Sequence, residues 1–143
     1  MEKIKIARLN TDATLPTRKH PADAGMDIYS NQEITIRPHS FEIVSTGITI
    51  EIDAGFVGLL KPKGRNNHLL GAGVVDAGYQ GEILVKVSNI TAKPMEIKPG
   101  DAIGQLLIIP IFTPEITEVA PDLIHKRNSS RGETGGIVEQ YKP

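Results

Sequence analysis

Asp76 and Tyr79 stand on either side of Ala77-Gly78 in the stretch GAGVVDAGYQGEI, with Gly71 and Gly73 just ahead of them. The spacing predicts a β-hairpin, one strand running into Asp76 and another leaving through Tyr79. Such a turn presents a carboxylate beside an aromatic ring. Glycines let the main chain come close to a planar ligand, whose edge can then pair with backbone donors and acceptors, while the ring lies against a sugar. The same residues also describe an ordinary turn, with an Asx-type aspartate and a half-buried tyrosine. Chemistry elsewhere is narrowed by absence of residue types. There is no cysteine, which excludes thiolate metal sites, disulfides and cysteine nucleophiles. The four histidines, His20, His39, His68 and His125, are scattered and form no ligand spacing, so each reads as surface or structural.

The elements that must position these residues are short strands. Ile48, Ile50 and Ile52 alternate with Thr49 and Glu51, and Ile83, Val85 and Val87 alternate with Leu84 and Lys86, the two-residue period of a strand. Further runs of the same kind are Ile4 to Leu9, Ile34 to Ile36, Phe41 to Val44, Phe56 to Leu60, Met95 to Ile97, Ile103 to Ile111 and Ile116 to Val119. Many of the glycines and prolines punctuate them, as at Pro38, Gly55, Pro99-Gly100 and Pro121. No window carries a helical period. An all-β sandwich or barrel of short, mainly antiparallel strands follows, with a jelly roll among the candidates.

A chain of 143 residues is one ordinary domain. We expect it to span residues 1–122, followed from 123 to 143 by a polar, glycine- and serine-rich arm containing HKRNSSRGETGG. Basic and acidic residues nearly cancel, leaving a net charge of -1, so there is no footprint for a nucleic-acid polymer. Aromatic residues make up only 4%, too few for a base-stacking platform. The amino-terminal MEKIKIARLN has no apolar signal stretch and no segment reaches membrane-spanning length. The expectation is a cytoplasmic protein.

Five stretches, in order, resemble the motifs of the dUTP pyrophosphatases: Ala24-Gly25-Met26-Asp27-Ile28; Ser45-Thr46-Gly47-Ile48 with the strand after it, leading to the second motif; Gly71 through Glu82; Pro99 through Leu106; and Arg131-Gly132 with Gly135-Gly136. Each is short, but five in sequence within one β domain identify the chain as similar to that family over roughly residues 4 to 136.

The resemblance implies a homotrimer of jelly-roll-like subunits with shared active sites, in which the C-terminal arm closes over a neighbour's nucleotide. It implies hydrolysis of dUTP to dUMP and pyrophosphate, with Asp76 activating a water for attack on the α-phosphorus. An ionised carboxylate suits that step because it can accept the water's proton. By the same resemblance Tyr79 packs on deoxyribose and excludes a 2′-hydroxyl, and the backbone of Gly71, Ala72, Gly73, Val74 and Val75 pairs with uracil. Gln105 donates to a phosphate oxygen, while Arg131, with Gly135 and Gly136, clamps the terminal phosphates. Mg2+ is held chiefly by phosphates and waters, and Asp27 reaches it through water.

The second motif departs from the family's Pro-Arg-Ser-Gly-Leu, since this chain has Pro62-Lys63-Gly64-Arg65-Asn66-Asn67. Anchored on Pro62, Lys63 replaces the arginine and Gly64 the serine; anchored on Arg65, Asn66 takes the serine's place. The serine hydroxyl is gone in both, and Lys63, Arg65 or the Asn66 amide must compensate. The fifth motif lacks its stacking aromatic and continues into Ile137. Gly78 replaces a second acid, as in the related dCTP deaminases, but those need a glutamate where Lys86 stands, and lysine cannot shuttle that proton. The alternative to turnover is a trimer that binds dUTP without hydrolysing it.

Overall fold

The structure, a computed structural model, describes residues 4–70 and 73–124. Its backbone divides into a unit Met1–Phe112 and a second unit Thr113–Pro143, a division ten residues ahead of the one expected from composition. Among the described residues no helix is long and apolar enough to cross a membrane.

Among the described residues eleven strands build the first unit: β1 (Lys5–Arg8), β2 (Gly25–Tyr29), β3 (Ile34–Ile36), β4 (Ser40–Ser45), β5 (Ile48–Glu51), β6 (Phe56–Lys61), β7 (His68–Leu70), β8 (Gly73–Val75), β9 (Leu84–Asn89), β10 (Met95–Ile97) and β11 (Ala102–Pro110). The β fold is the jelly-roll-like one expected. The strands form a four-stranded sheet in the order β2-β11-β6-β8, a three-stranded sheet β4-β9-β7, and the pairs β1-β5 and β10-β3. All strand pairings are antiparallel.

The period-two residues face inward. Ile48, Ile50, Ile52, Ile83, Val85 and Val87 are buried in one core with Met26, Ile28, Leu60 and Leu106. Leu106 is fully enclosed, so truncating it to alanine would cost about 2–5 kcal/mol. Across the four-stranded sheet, Met26, Leu106 and Leu60 pair in one inward row, and the adjacent row Asp27, Gln105 and Lys61 therefore faces outward. Those outward rows are where the chemistry collects.

Two sequence expectations need correcting. The Asp76 turn is not a β-hairpin: β8 pairs with β6, whereas β9 pairs with β4 and β7, so the turn carries the chain from one sheet to another. Glycine-punctuated runs either side of a turn show that the chain reverses, not which strand each run joins. Ile116–Val119 has strand composition but forms no strand; alternation describes side chains, and a strand also needs a ladder partner. Among its described residues the second unit instead contains a helical turn, α1 (Pro121–Ile124).

Candidate active site

Asp76 follows β8 and opens a tight turn in which the Tyr79 amide donates to the Asp76 carbonyl at 3.1 Å. Gly78 occupies the third position with φ of 85°, the left-handed backbone that a type II turn demands there. Tyr79 then folds across Gly81, where an added Cβ would sit 2.5 Å from the phenol oxygen, and its hydroxyl donates to the Glu82 carbonyl at 2.9 Å. The ring is thereby fixed beside the main chain of Gly73, Val74 and Val75, with which it lines a hollow of about 150 Å³.

Glu82 anchors the far end of this loop. Its Oε1 accepts the hydroxyl of Ser45 and the amides of Thr46 at 3.1 Å and Gly47 at 2.7 Å. Thr46, itself buried, adds a hydroxyl bond to the Ile83 carbonyl at 2.5 Å. The Ser-Thr-Gly stretch between β4 and β5 is thus a cradle for a carboxylate of the same chain. Gly47, at φ 67°, would drive any Cβ into Ala13 and Asn31.

A second hollow, of about 500 Å³, is lined by Lys19, Asp23, Ala24, Gly25, Asp27, Lys63, Gly64, Arg65 and Gln105. Register puts Asp27 and Gln105 side by side on β2 and β11. Gln105 lies over Gly25, leaving no room for a side chain there, and gives one amide hydrogen to the Pro62 carbonyl at 3.0 Å. The amide's other hydrogen is available to an anion. Lys63 is bonded to Asp27 at 2.5 Å, and the Asn66 amide closes the loop onto the Lys63 carbonyl at 3.0 Å. Asn66 is placed apart from this set: its side chain donates to the Ala102 carbonyl at 3.2 Å and lies beside His68. His68 is buried and bonds the Ile103 carbonyl at 2.7 Å, a structural place.

Asp27, Lys63, Gly64, Arg65 and Gln105 therefore meet in one hollow and Tyr79, Gly73, Val74 and Val75 in another, with no lining residue in common; Asp76 lines neither and stands beside the second, next in the chain to Val75. Val75 pairs with Gly58 toward the start of β6 and Lys63 follows its end, so the Asp76 turn is set back along the strand from the Lys63 loop, whereas Gly73 pairs with Leu60 beside the Lys61 that pairs with Gln105. Gly71, Ala72, Arg131, Gly135 and Gly136 lie outside the described residues. The sequence reading missed Lys19 and Asp23, although both lie within a few residues of Ala24-Gly25, and it gave no role to Glu82.

Known proteins match this arrangement. The dUTPase family model covers residues 11–135. The chain belongs to the dUTPase family. A deoxyuridine 5′-triphosphate nucleotidohydrolase of Mycolicibacterium vanbaalenii is 39% identical, over 92% of this chain and 91% of its own; one from Corynebacterium jeikeium is 38% identical, over 81% and 79%. Among solved structures, the dUTPase of Staphylococcus bacteriophage 80alpha with dUPNHPP has a TM-score of 0.84 at 26% identity, covering 94% of this chain and 96% of that one. A variant dUTPase from phage phi11 of S. aureus, which coordinates a structural Mg(II) ion, has a TM-score of 0.78 at 26% identity, over 82% and 97%. In this dUTPase the loop after β6 keeps Lys63 and Arg65 in the hollow of Asp27 and Gln105.

Proposed function

We propose that this dUTPase hydrolyses dUTP to dUMP and pyrophosphate, with Asp76 as the general base and with each active site completed by more than one copy of the chain. The observation that carries the reading is the division of chemistry between two separate hollows. In one, a fixed tyrosine ring and open backbone, with the Asp76 turn beside them, suit a deoxynucleoside; in the other, Lys63, Arg65 and Gln105 suit phosphates. One triphosphate reaches both kinds of group when a second subunit brings its Asp76 turn to the first subunit's cationic hollow.

In the hydrolytic step a water oxygen attacks the α-phosphorus while its proton passes to the Asp76 carboxylate. The bond from that phosphorus to the bridging oxygen breaks, and its electron pair leaves with pyrophosphate. Tyr79, held by Gly81 and Glu82, excludes a 2′-hydroxyl; Gly73, Val74 and Val75, with Gly71 and Ala72, offer their main chain to uracil. Gln105 donates to a phosphate oxygen, and Arg131, with Gly135 and Gly136 of the 123–143 arm, closes on the terminal phosphates.

Mg2+ fits the residues present. Among the described residues no three His, Cys, Asp or Glu side chains cluster, and magnesium bound to a nucleotide usually keeps its waters and needs only one or two carboxylates. Asp27 is the carboxylate that would hold it, through water, where the ion offsets phosphate charge.

A homotrimer is supported by the outward face of the β4-β9-β7 sheet, where Phe41, Ile43, Leu69 and Leu84 are all about half exposed. Exposed apolar side chains gathered on one sheet face, here interrupted by Lys86 and Ser88 of β9, suit an association surface.

Release of pyrophosphate from dUTP with Mg2+, beside dCTP, dTTP and UTP, tests the reading in the parent chain and in Asp76→Asn. Rapid, dUTP-selective release that the substitution lowers by about 10²–10⁴-fold is expected. Tight dUTP binding without release would instead identify a binding trimer, the reading that Gly64, with no side-chain donor, favours.

A further inference from the structure

Lys19 lines the same hollow as Asp27, Lys63, Gly64, Arg65 and Gln105, yet it belongs to none of the motifs that resemble the family. Its placement is built rather than incidental. Thr17 and Asp27 form an antiparallel bridge, with the Asp27 amide donating to the Thr17 carbonyl at 2.7 Å. The chain between them consequently turns back over the hollow. That turn is braced on both sides of Lys19: Arg18 Nε donates to the Asp23 carbonyl at 2.9 Å, and the His20 amide donates to Asp23 Oδ2 at 2.9 Å. The Asp23 amide returns a bond to the His20 carbonyl at 3.0 Å.

Charge decides what such a lysine can do. The hollow holds three cations, Lys19, Lys63 and Arg65, and two carboxylates, Asp23 and Asp27. Lys63 is committed to Asp27 at 2.5 Å, and Asp23 is engaged by a backbone amide. Among the described residues Lys19 makes no ion pair or side-chain hydrogen bond. Gly64, on the opposite side of the loop after β6, contributes no side-chain donor, and a Cβ there would meet nothing within 4 Å. Arg65 and the second Gln105 amide hydrogen stay open to an anion and Lys63 is tied up, while Lys19 brings a further uncommitted ammonium on a fixed turn. A mobile point charge on a long stem is suited to following a phosphate chain.

We infer that Lys19 is a phosphate-binding residue of this site, adding its uncommitted charge to that of Arg65 where Lys63 is held by Asp27. The inference rests on the proposed function, because the anion it recognises is the triphosphate of the substrate.

The test measures KM and kcat for dUTP, and inhibition by inorganic pyrophosphate, in the parent, Lys19→Ala, Lys19→Arg and, as a control for overall charge, Lys93→Ala. Lys19→Ala is expected to raise KM and weaken pyrophosphate inhibition by about tenfold, with Lys19→Arg within about threefold of the parent and Lys93→Ala unchanged. Unaltered KM and inhibition in Lys19→Ala would overturn the inference, as would an equal effect in Lys93→Ala. Failure of the underlying reading looks different: the parent itself then releases no pyrophosphate, whereas an active parent with an indifferent Lys19→Ala removes Lys19 alone.

Discussion

The Lys63 ammonium lies 2.5 Å from Oδ2 of Asp27, joining the loop after β6 to strand β2 inside the hollow that both residues line. Each side chain is about three-quarters covered, so solvent screens the pair only partly. A double-mutant cycle with Lys63→Ala and Asp27→Ala, read by urea unfolding, is expected to give a coupling of about 1 kcal/mol. Additive effects would mean that the pair contributes nothing to folding.

Gly64, the serine's counterpart if the second motif is anchored on Pro62, leaves open space for a side chain. Gly64→Ser is expected to keep its melting temperature within about 2 °C of the parent, as surface changes do. Its kcat/KM for dUTP should rise severalfold, because a hydroxyl at the phosphates adds a preorganised donor. An unchanged rate would show that the donor is already provided by another group.

Glu82 satisfies two main-chain amides and a hydroxyl at the β4–β5 corner. Glu82→Ala strands the amide of buried Thr46 and frees the loop that ends the Asp76 turn, for an expected loss of about 2–4 kcal/mol in chemical denaturation. Turnover by the protein that remains folded should fall as well. A stable variant with full activity would contradict this account of the loop.

Gly81→Ala puts a methyl group 2.5 Å from the Tyr79 hydroxyl, and the ring must move. Preference for dUTP over UTP, taken as the ratio of kcat/KM values, is expected to drop by about tenfold, with a smaller change in the rate on dUTP. Equal selectivity would detach Tyr79 from sugar discrimination.

Ile43 lies on the outward face of the β4-β9-β7 sheet, and Lys86 beside it is turned over the Phe41 ring at 4.4 Å. Ile43→Asp buries a charge in any interface formed there. Analytical ultracentrifugation should find a trimeric parent and a single-chain variant with greatly reduced activity. A parent that sediments as one chain would refute shared sites.

What could be read before folding follows from how each feature is encoded. Ile48, Ile50, Ile52 and Ile83, Val85, Val87 alternate over enough residues to reveal strand and core together. β7 spans only His68–Leu70 between Asn-Asn and Gly-Ala-Gly, too short for a period to emerge. β2 was visible as the Ala24–Ile28 motif, but Met26 and Ile28 alone do not announce a strand. Local residue types marked Asp27, Gln105 and the Lys63–Arg65 run, and the fold gathers them. Asn66 was ambiguous in sequence because only its hydrogen bond to Ala102, far along the chain, settles its direction. Lys19 had no pattern at all in the polar Arg18-Lys19-His20 run; its position comes from the Thr17–Asp27 bridge.

Because the base-bearing turn and the phosphate-lining hollow are separate, the two halves of the reaction are heritable separately. A chain damaged at Asp76 retains a sound hollow, and one damaged at Gln105 retains a sound turn. In the proposed shared site, two such inactive alleles co-expressed should complement each other by pairing intact halves across a subunit boundary. A single Asp76 lesion in a mixed population should correspondingly be semi-dominant, since it would disable the sites it lends to its neighbours and none of the hollows on its own chain.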